Sequence, residues 1–303
     1  MVKTWSTPQV CEKKEAIPCA LCGGGVFRPA LSCGTFSYVR CVRCGLVQVN
    51  PQPLPRETAR RYGEVSGKEY LAYELEREKD FLALQELALA GIGFEDIERE
   101  FRQKRERPRF LDAGCATGAL LEKIRDRRWD VSGVEICGDE AEYARKERGL
   151  AIRERPLEEA GFAGESFEAV HASHLIEHLN RPELFTAEAA RLLVPGGVLL
   201  ITTPNIAGFQ ARLFGSGWRS AIFDHLYLFS VKTLSRLLAD NGLAIEKVIT
   251  WGGLAEGIGP RLLKRALDRA AKRFGFGDVM MIRARKKAGA EGSLSRQITH
   301  RNY

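Results

Sequence analysis

The chain has 303 residues, of which 45% are hydrophobic, so it is long and apolar enough to bury a sizeable core. It contains no apolar run of the roughly 18 residues that cross a bilayer, and its N-terminus has no signal-peptide core, which favours a soluble cytoplasmic protein. A formal net charge of +7 favours anionic partners, such as nucleotide-linked substrates, nucleic acid or an acidic membrane surface.

Two C-x-x-C pairs lie near the N-terminus. They are Cys19 with Cys22 and Cys41 with Cys44, and 18 residues separate the pairs. In a cytosolic chain this spacing favours a four-cysteine zinc site over disulfides, and a glycine after each pair lets the backbone turn around the metal. We therefore predict a zinc ribbon over residues 1–55 with a structural metal. A rubredoxin-like iron site with the same ligands is the alternative.

A proline-rich segment ends the ribbon, and the next stretch has the pattern of helices. Leucine and aromatic residues recur at steps of three and four among charges, which predicts a helical linker over residues 56–108. The basic run at 102–109 is interpreted as a solvated helix end.

The stretch FLDAGCATGAL, which begins at Phe110, has the order strand, glycine turn, helix. Asp112 closes the strand, and Gly114 and Gly118 bracket the turn. Glycine lets a backbone approach a ligand closely, and a helix N-terminus offers unpaired N–H groups, so the loop is suited to an anionic or zwitterionic cofactor. Dinucleotide folds use G-x-G-x-x-G instead. The glycine spacing here favours S-adenosylmethionine over NAD.

The same stretch resembles the first motif of class I S-adenosylmethionine-dependent methyltransferases, hydrophobic-Asp-x-Gly-x-Gly-x-Gly, with Ala116 at the middle glycine. A second strand ends in Glu135, 23 residues after Asp112. The resemblance implies that Glu135 accepts hydrogen bonds from the ribose hydroxyls, and that the N-terminal helices form a lid over the cofactor in which Tyr70 or Tyr73 takes part. The implied cofactor-binding residues are Asp112, Gly114, Cys115, Gly118 and Glu135, with Leu157 and Glu158 flanking the adenine.

From residue 109 onward strands and helices alternate, which predicts an α/β, Rossmann-like domain over 109–287. We expect a parallel sheet of seven strands with helices on both faces. The segment from Pro195-Gly-Gly to Pro204-Asn205 resembles the family pattern LxPGGxLxxxxPN. The predicted strands are 109–113, 131–135, 150–153, 167–171, 197–202, 244–250 and 278–284.

The segment after the fourth strand is rich in ionisable side chains. His174, Glu177 and His178 have the spacing i, i+3, i+4, which on a helix puts them on one side. The segment resembles the family's FDVV…EH segment. One member could act as a general base toward a hydroxyl. A second possibility is that the group holds a divalent ion, as the corresponding residues do in some relatives, although His174 replaces an acidic residue there. A third possibility is that Glu177 and His178 only brace the start of a helix.

Residues 206–230 leave the alternating pattern and are predicted to form a cap. Glycines and aromatics in this stretch suit a substrate pocket or a packed cap helix. The stretch that starts at His225 resembles the H-x-x-x-F-S segment of one methyltransferase branch, and His225 is a second base candidate. Residues 259–274 read as a basic amphipathic helix, either a solvated outer helix or a contact with a membrane surface or polyanion. Residues 288–303 are predicted to be disordered.

These features indicate a methyltransferase with an N-terminal zinc ribbon. We expect a small-molecule acceptor, namely a sugar hydroxyl of a polysaccharide or of its nucleotide-linked precursor. An RNA methyltransferase that grips RNA through the ribbon is less favoured, because the basic residues do not interleave with aromatics. In addition, the chain has no Asn-Pro-Pro-Tyr catalytic signature for base chemistry, and no Pro-Cys one outside the first cysteine pair. A degenerate, non-catalytic binding protein is disfavoured by the intact Asp112 and Glu135.

Overall fold

The computed structural model describes residues 13–34, 36–60, 67–252 and 275–287. The predicted basic helix at 259–274 and the predicted tail at 288–303 lie outside the described residues. Among the helices within these ranges, none combines the length and the apolar character that a membrane span requires.

The N-terminal part is built from short antiparallel strands. Strands β2, β3 and β4 form one sheet, and β1 pairs with β5. Cys19 and Cys22 precede β2, Cys41 ends β3, and Cys44 lies in the turn before β4. The strands are β1 (Lys14–Glu15), β2 (Phe27–Cys33), β3 (Phe36–Cys41), β4 (Val47–Val49) and β5 (Gln52–Pro53).

Helices follow the ribbon, as the apolar periodicity predicts. They are α1 (Pro55–Arg60), α2 (Gly67–Ile92) and α3 (Phe94–Arg102). Helix α3 buries Phe94, Ile97 and Phe101, whose spacing puts them on one side of the helix. This side packs against Phe110 and Trp129 of the next domain.

The remaining strands are β6 (Arg109–Ala113), β7 (Asp130–Val134), β8 (Ile152–Arg153), β9 (Phe167–Ser173), β10 (Leu193–Pro204), β11 (Tyr227–Leu228), β12 (Leu243–Trp251) and β13 (Val279–Lys286). All except β11 form one seven-stranded sheet in the order β12-β13-β10-β9-β6-β7-β8. The expectation of a fully parallel sheet is wrong at one strand, because β13 runs antiparallel to both β10 and β12. The sheet is therefore mixed.

Helices cover both faces of this sheet, as predicted. Alternate residues of a strand point to opposite faces, so Phe110 packs in the cluster of α2, α3 and the next two helices, whereas Leu111 packs on the other side. The helices of the domain are α4 (Ala119–Asp126), α5 (Gly138–Arg148), α6 (Pro182–Leu192), α7 (Phe209–Phe214) and α8 (Val231–Asp240).

Strand β11 joins the ribbon to the cap. It pairs antiparallel with β4, which makes the ribbon sheet four-stranded. Beneath this sheet, Tyr38 and Val49 of the ribbon share a buried cluster with Trp218 and Ala221 of the cap. The ribbon thus rests on the segment 206–230 through a continuous sheet and a common core.

Candidate active site

The glycine turn follows β6 with the conformation that its sequence requires. Gly114 and Gly118 have φ of +70° and +79°, which L side chains rarely adopt. The N–H groups of Gly114 and Cys115 donate to the carbonyl of Val134 at 2.9 and 3.2 Å, which ties the turn to the end of β7. Ala116, at the position of the family's middle glycine, also has a positive φ, +46°. The turn keeps the glycine-type backbone despite the substitution.

Glu135, which follows β7 directly, contacts the backbone of the glycine turn. Its carboxylate accepts the N–H of Ala116 at 3.0 Å through one oxygen and the N–H of Cys137 at 2.9 Å through the other. Burial raises the pKa of Glu135, and these N–H groups oppose the rise. The N–H of Ile136 also lowers the pKa of Glu135. A carboxylate has about four lone-pair sites, so about one remains for a further donor such as a hydroxyl.

Asp112 has a partner that the sequence analysis did not identify. Its Oδ1 lies 2.7 Å from Nδ1 of His171, and both side chains are buried. Burial raises the pKa of Asp112, and His171 opposes the rise. The two residues pair in register on the neighbouring strands β6 and β9. That register is the signal that could have linked them, but strand order is not readable from the sequence.

Helix α2 contributes carboxylates to the same place. Glu74 and Glu78 line a small cavity of about 40 Å³ together with Asp112, Cys115 and Ala116. Glu78 accepts a hydrogen bond from Thr117 at 3.1 Å and forms an ion pair with Arg148. The residues of α2 that line the cavity are Glu74, Glu78, Phe81, Leu82 and Gln85, whereas Tyr73 packs against Phe81.

These acidic groups raise one another's pKa values. Burial, then the charges of Glu135 and Glu78, raises the pKa of Glu74 to about 7. Burial, then Glu135 and Glu74, raises the pKa of Glu140 on α5 to about 8. A cation placed among these groups would favour their ionised forms.

Leu157 and Glu158 lie on a short 3-10 turn, Leu157–Glu159, after β8. Leu157 is buried in the core cluster that contains Ala160 and residues of α6, and Glu158 is exposed. Their predicted place beside an adenine stays a prediction.

The i, i+3, i+4 spacing at His174 does not lie on a helix, because residues 176–178 form a turn. His174 follows β9 with φ of +52°, and its N–H still donates to the carbonyl of Thr202 on β10 at 2.9 Å. The turn after it is closed by the N–H of His178, which donates to Leu175 at 2.9 Å. The turn still brings His174 and Glu177 together, with 3.2 Å between Nδ1 and Oε1. Leu175 between them is the side chain nearest to Gly114. The turn therefore lies directly beside the glycine loop.

Glu177 is almost fully buried and ionised. Burial acts to raise its pKa, but the hydrogen bond from His174 and the nearby imidazoles of His174, His178 and His225 outweigh it and hold the pKa at about 2. Thr203 donates to its second oxygen at 2.9 Å. Because an ionised carboxylate only accepts hydrogen bonds, Nδ1 of His174 is the donor in this contact.

His225 of the cap completes this group. Its ring lies 4.7 Å from that of His178, at an interplanar angle of 83°. The Nδ1–H donates to the carbonyl of Ser220 at 2.8 Å, which leaves the lone pair on Nε2. Burial, then the charge of His178, lowers the pKa of His225 to about 4, so it is neutral at pH 7. Ligand-type atoms of Glu177, His178 and His225 lie within 4.8 Å of one another.

The four predicted metal-binding cysteines also come together. Sγ of Cys19 lies 3.4 Å from that of Cys44, and Sγ of Cys22 lies 3.5 Å from that of Cys41. All four sulfurs are within 4.8 Å of one another. Tetrahedral zinc with Zn–S bonds of about 2.3 Å needs sulfurs about 3.8 Å apart, so the residues fit a zinc ion.

Comparison with known proteins gives the family. The family model described as "Methyltransferase domain" matches residues 80–248, more than half of the chain. The chain belongs to this methyltransferase family. The predictions of a class I methyltransferase and of its α/β sheet are confirmed at this level, while the roles of individual site residues stay predictions.

Two curated relatives are ubiquinone biosynthesis O-methyltransferases. The one from Cereibacter sphaeroides is 30% identical over 41% of this chain and 56% of its own length. The mitochondrial one from Rattus norvegicus is 29% identical over 46% of this chain and 45% of its own length. The chain thus spans about half the length of the curated relatives it matches.

A solved structure of a SAM-dependent methyltransferase from Archaeoglobus fulgidus superposes with a TM-score of 0.51 at 19% identity. The match covers 71% of this chain and 99% of that one. At this identity the likeness concerns the fold.

Proposed function

We propose that the protein transfers a methyl group from S-adenosylmethionine to a hydroxyl of a small molecule. The observation that carries the proposal is the hydrogen-bonded pair of His174 and Glu177, beside the glycine loop at the carboxyl end of β9. Ligands of open α/β sheets bind at the carboxyl ends of the strands, so the pair lies where donor and acceptor would meet. The names of the O-methyltransferase relatives support a hydroxyl acceptor.

The cofactor would lie between the glycine loop and α2. Glu135 has a lone pair left for a ribose hydroxyl, and the carboxylates of Asp112, Glu74 and Glu78 suit the cationic groups of S-adenosylmethionine. When bound, this cofactor supplies an electrophilic methyl group on a sulfonium. The protein's part is to align donor and acceptor and to exclude water.

The base of the proposed reaction is His174. Glu177 orients its Nδ1–H and would stabilise the imidazolium, while Nε2 accepts the proton of the hydroxyl. The side chain of His174 is 50% exposed, so an acceptor can reach it. His225, with a pKa of about 4, is a weaker base near neutral pH.

The acceptor class is the finer part of the proposal. We propose a sugar hydroxyl on an anionic, nucleotide-linked precursor, in keeping with the net charge of +7. A hydroxyl of a ubiquinone precursor, suggested by the names of the relatives, and RNA are the alternatives that an acceptor screen has to include.

A divalent ion held by Glu177, His178 and His225 is a second candidate mechanism, favoured by the approach of their ligand atoms to within 4.8 Å. A dependence of turnover on added Mg²⁺, Mn²⁺ or Zn²⁺ that His225→Ala abolishes would support it. Turnover that a metal chelator leaves unchanged would instead favour the mechanism with His174 as general base.

For the ribbon we propose one structural zinc held by Cys19, Cys22, Cys41 and Cys44. With four thiolate ligands, the ion would have no open position for catalysis, and it would join the two knuckles of the ribbon. Metal analysis of the purified protein, with about one zinc per chain expected, tests this and separates zinc from iron.

The function is tested by binding followed by turnover. Calorimetry with S-adenosylmethionine is expected to give binding that Glu135→Ala loses, whereas Glu142→Ala, an exposed position on α5, keeps it. Methyl transfer to the hydroxyl panel is then measured for the wild type and His174→Ala. We expect a loss of about 10²- to 10⁴-fold in kcat, the range typical of a general base. A wild type without cofactor binding would overturn the proposal.

A further inference from the structure

We propose that the cysteine ribbon is a positioning element of the active site, and that Tyr38 holds His225 and the Glu177 turn in place. This inference rests on the proposed function, because it assigns the ribbon a part in the same reaction. It concerns the turn at residues 174–180 and the cap strand β11, which the ribbon contacts directly.

The first connection runs through β11. On one edge this strand pairs with β4, where Tyr227 lies opposite Gln48 and the N–H of Val49 donates to Leu226 at 2.8 Å. On its other edge the N–H of Tyr227 donates to the carbonyl of Glu177 at 3.1 Å. Alternate N–H groups of a strand point to opposite edges, so β11 bridges the ribbon and the Glu177 turn.

The second connection is the hydroxyl of Tyr38 on β3. It lies 2.9 Å from the carbonyl of His225 and 2.9 Å from that of Ile222, so its proton is shared between them. Tyr38 is 1% exposed, and burial raises its pKa, which keeps the hydroxyl protonated. The backbone of a histidine that contacts His178 is thus fixed by a ribbon side chain.

The third connection joins the metal knuckle to this assembly. The side chain of Gln48 on β4 is fully buried, accepts the N–H of Ala20 at 3.3 Å and donates to the carbonyl of Pro18 at 3.3 Å. Ala20 lies between Cys19 and Cys22. A path of hydrogen bonds therefore runs from the first C-x-x-C pair through Gln48 and β11 to Glu177.

Tyr38→Phe is the primary variant, because it removes the hydroxyl and keeps the ring. Its matched control is Ser216→Ala, which removes another hydroxyl bond between ribbon and cap, the one from the N–H of Ser32. Gln48→Met is a second variant that cuts the knuckle link at similar volume. Each is compared with the wild type for melting temperature, cofactor affinity, kcat, KM and the hydrogen exchange of β11 and of residues 174–180.

For Tyr38→Phe we expect kcat to fall about five- to tenfold, the effect of one lost hydrogen bond, with unchanged cofactor affinity. Hydrogen exchange of the Tyr227 N–H, which donates to the carbonyl of Glu177, is expected to become faster, because the cap that Tyr38 holds is loosened. Gln48→Met should act in the same direction, and Ser216→Ala should change neither quantity.

Hydrogen exchange keeps the two proposals apart. A wild type that binds no cofactor or methylates no acceptor overturns the proposed function, yet the exchange rate of the Tyr227 N–H still reports on positioning. An unchanged exchange rate in folded Tyr38→Phe and Gln48→Met overturns the positioning role. So does a melting temperature lowered in both variants while the Tyr227 N–H exchanges as in the wild type, since that pattern shows a packing role alone.

Discussion

At the residue scale, the site contains carboxylates whose pKa values are shifted in opposite directions. Glu177 has a pKa of about 2, and Glu74 has a pKa of about 7. Both are shielded from water, so the neighbouring groups determine the direction of each pKa shift. Imidazoles and a hydroxyl surround Glu177, whereas other carboxylates lie beside Glu74. This separation assigns Glu177 the role of a permanent anion and gives Glu74 a charge that depends on pH and ligand.

Two glycines with similar backbone angles, Gly118 in the glycine turn and Gly149 after α5, differ in the space around them. A Cβ at Gly118 would lie 2.5 Å from Cδ1 of Leu150 and 3.2 Å from Cβ of Ala144, and the φ is +79°. Gly149 has a similar φ of +62°, but its Cβ would meet nothing within 4 Å. We expect Gly149→Ala to cost about 1 kcal/mol of unfolding free energy from backbone strain, and Gly118→Ala about 1–3 kcal/mol more from crowding. Urea unfolding measures both, and equal losses would mean that Leu150 simply moves aside.

His225 makes the free energy of unfolding depend on pH. Its pKa is lowered in the folded state from 6.5 to about 4, so the unfolded chain binds more protons between these pH values. The stability that the neutral ring contributes is present above about pH 6.5 and is lost as pH falls toward 4. We expect the difference in unfolding free energy between wild type and His225→Gln to shift by up to about 3 kcal/mol against the wild type from pH 7.5 to pH 4.5.

Taking this difference between variants cancels the contributions of Glu74 and Glu140, which titrate in the same range. A pH-independent difference would contradict the buried, neutral His225. Equilibrium urea unfolding at several pH values gives the answer.

The sequence identified some site residues and missed their partnerships. The glycines and Glu135 were readable because a turn beside a ligand needs positive φ and because the acid ends a strand at a fixed interval. The pairs His171 with Asp112 and His225 with Glu177 depend on which strands and loops become neighbours. Local periodicity carries no information about that.

At the element scale, α2 covers the glycine loop and brings carboxylates to it. Glu74 is neutral below its pKa of about 7 and anionic above it. Since a bound cation favours the anion, we expect the affinity for S-adenosylmethionine to rise between pH 6 and pH 8. In Glu74→Gln this rise should largely vanish.

Calorimetry at three pH values checks this, with the neutral thioether product S-adenosylhomocysteine as a ligand control. It lacks the sulfonium, so its affinity should follow pH less steeply. The same pH dependence for both ligands would show that Glu74 does not sense the sulfonium.

Two element-scale expectations failed for physical reasons. The i, i+3, i+4 spacing at His174 suits a helix, but a left-handed residue directly after β9 produces a turn that keeps the i, i+3 contact. Strand β13 reads as another buried strand, and it is buried along most of its length, yet it runs antiparallel between β10 and β12. The pattern of apolar residues indicates which segments are buried and with what periodicity, but it does not encode the direction of a strand.

At the scale of the whole molecule, the ribbon and the methyltransferase domain share buried surface. Cys19, Cys41 and Leu46 belong to the same core cluster as Phe229 of the cap and Leu234 of α8. A metal that fixes these cysteines would therefore stabilise more than the ribbon. The predicted boundary at residue 55 divides the sequence, but β11 and this cluster cross it in space.

We accordingly expect removal of the metal to loosen the structure of the active site as well as that of the ribbon. Chelation, or Cys41→Ser with Cys44→Ser, should lower the melting temperature by about 10 °C and raise hydrogen exchange in β4, in β11 and in the turn at 174–180. Strands β6 and β7 belong to the other sheet and make no backbone pairing with the ribbon strands, so they should keep their protection. Cys33→Ser, at a thiol outside the four-cysteine cluster, is the matched control. Exchange measured by mass spectrometry decides the matter: faster exchange confined to residues 14–53 would mean that the ribbon unfolds without affecting Glu177.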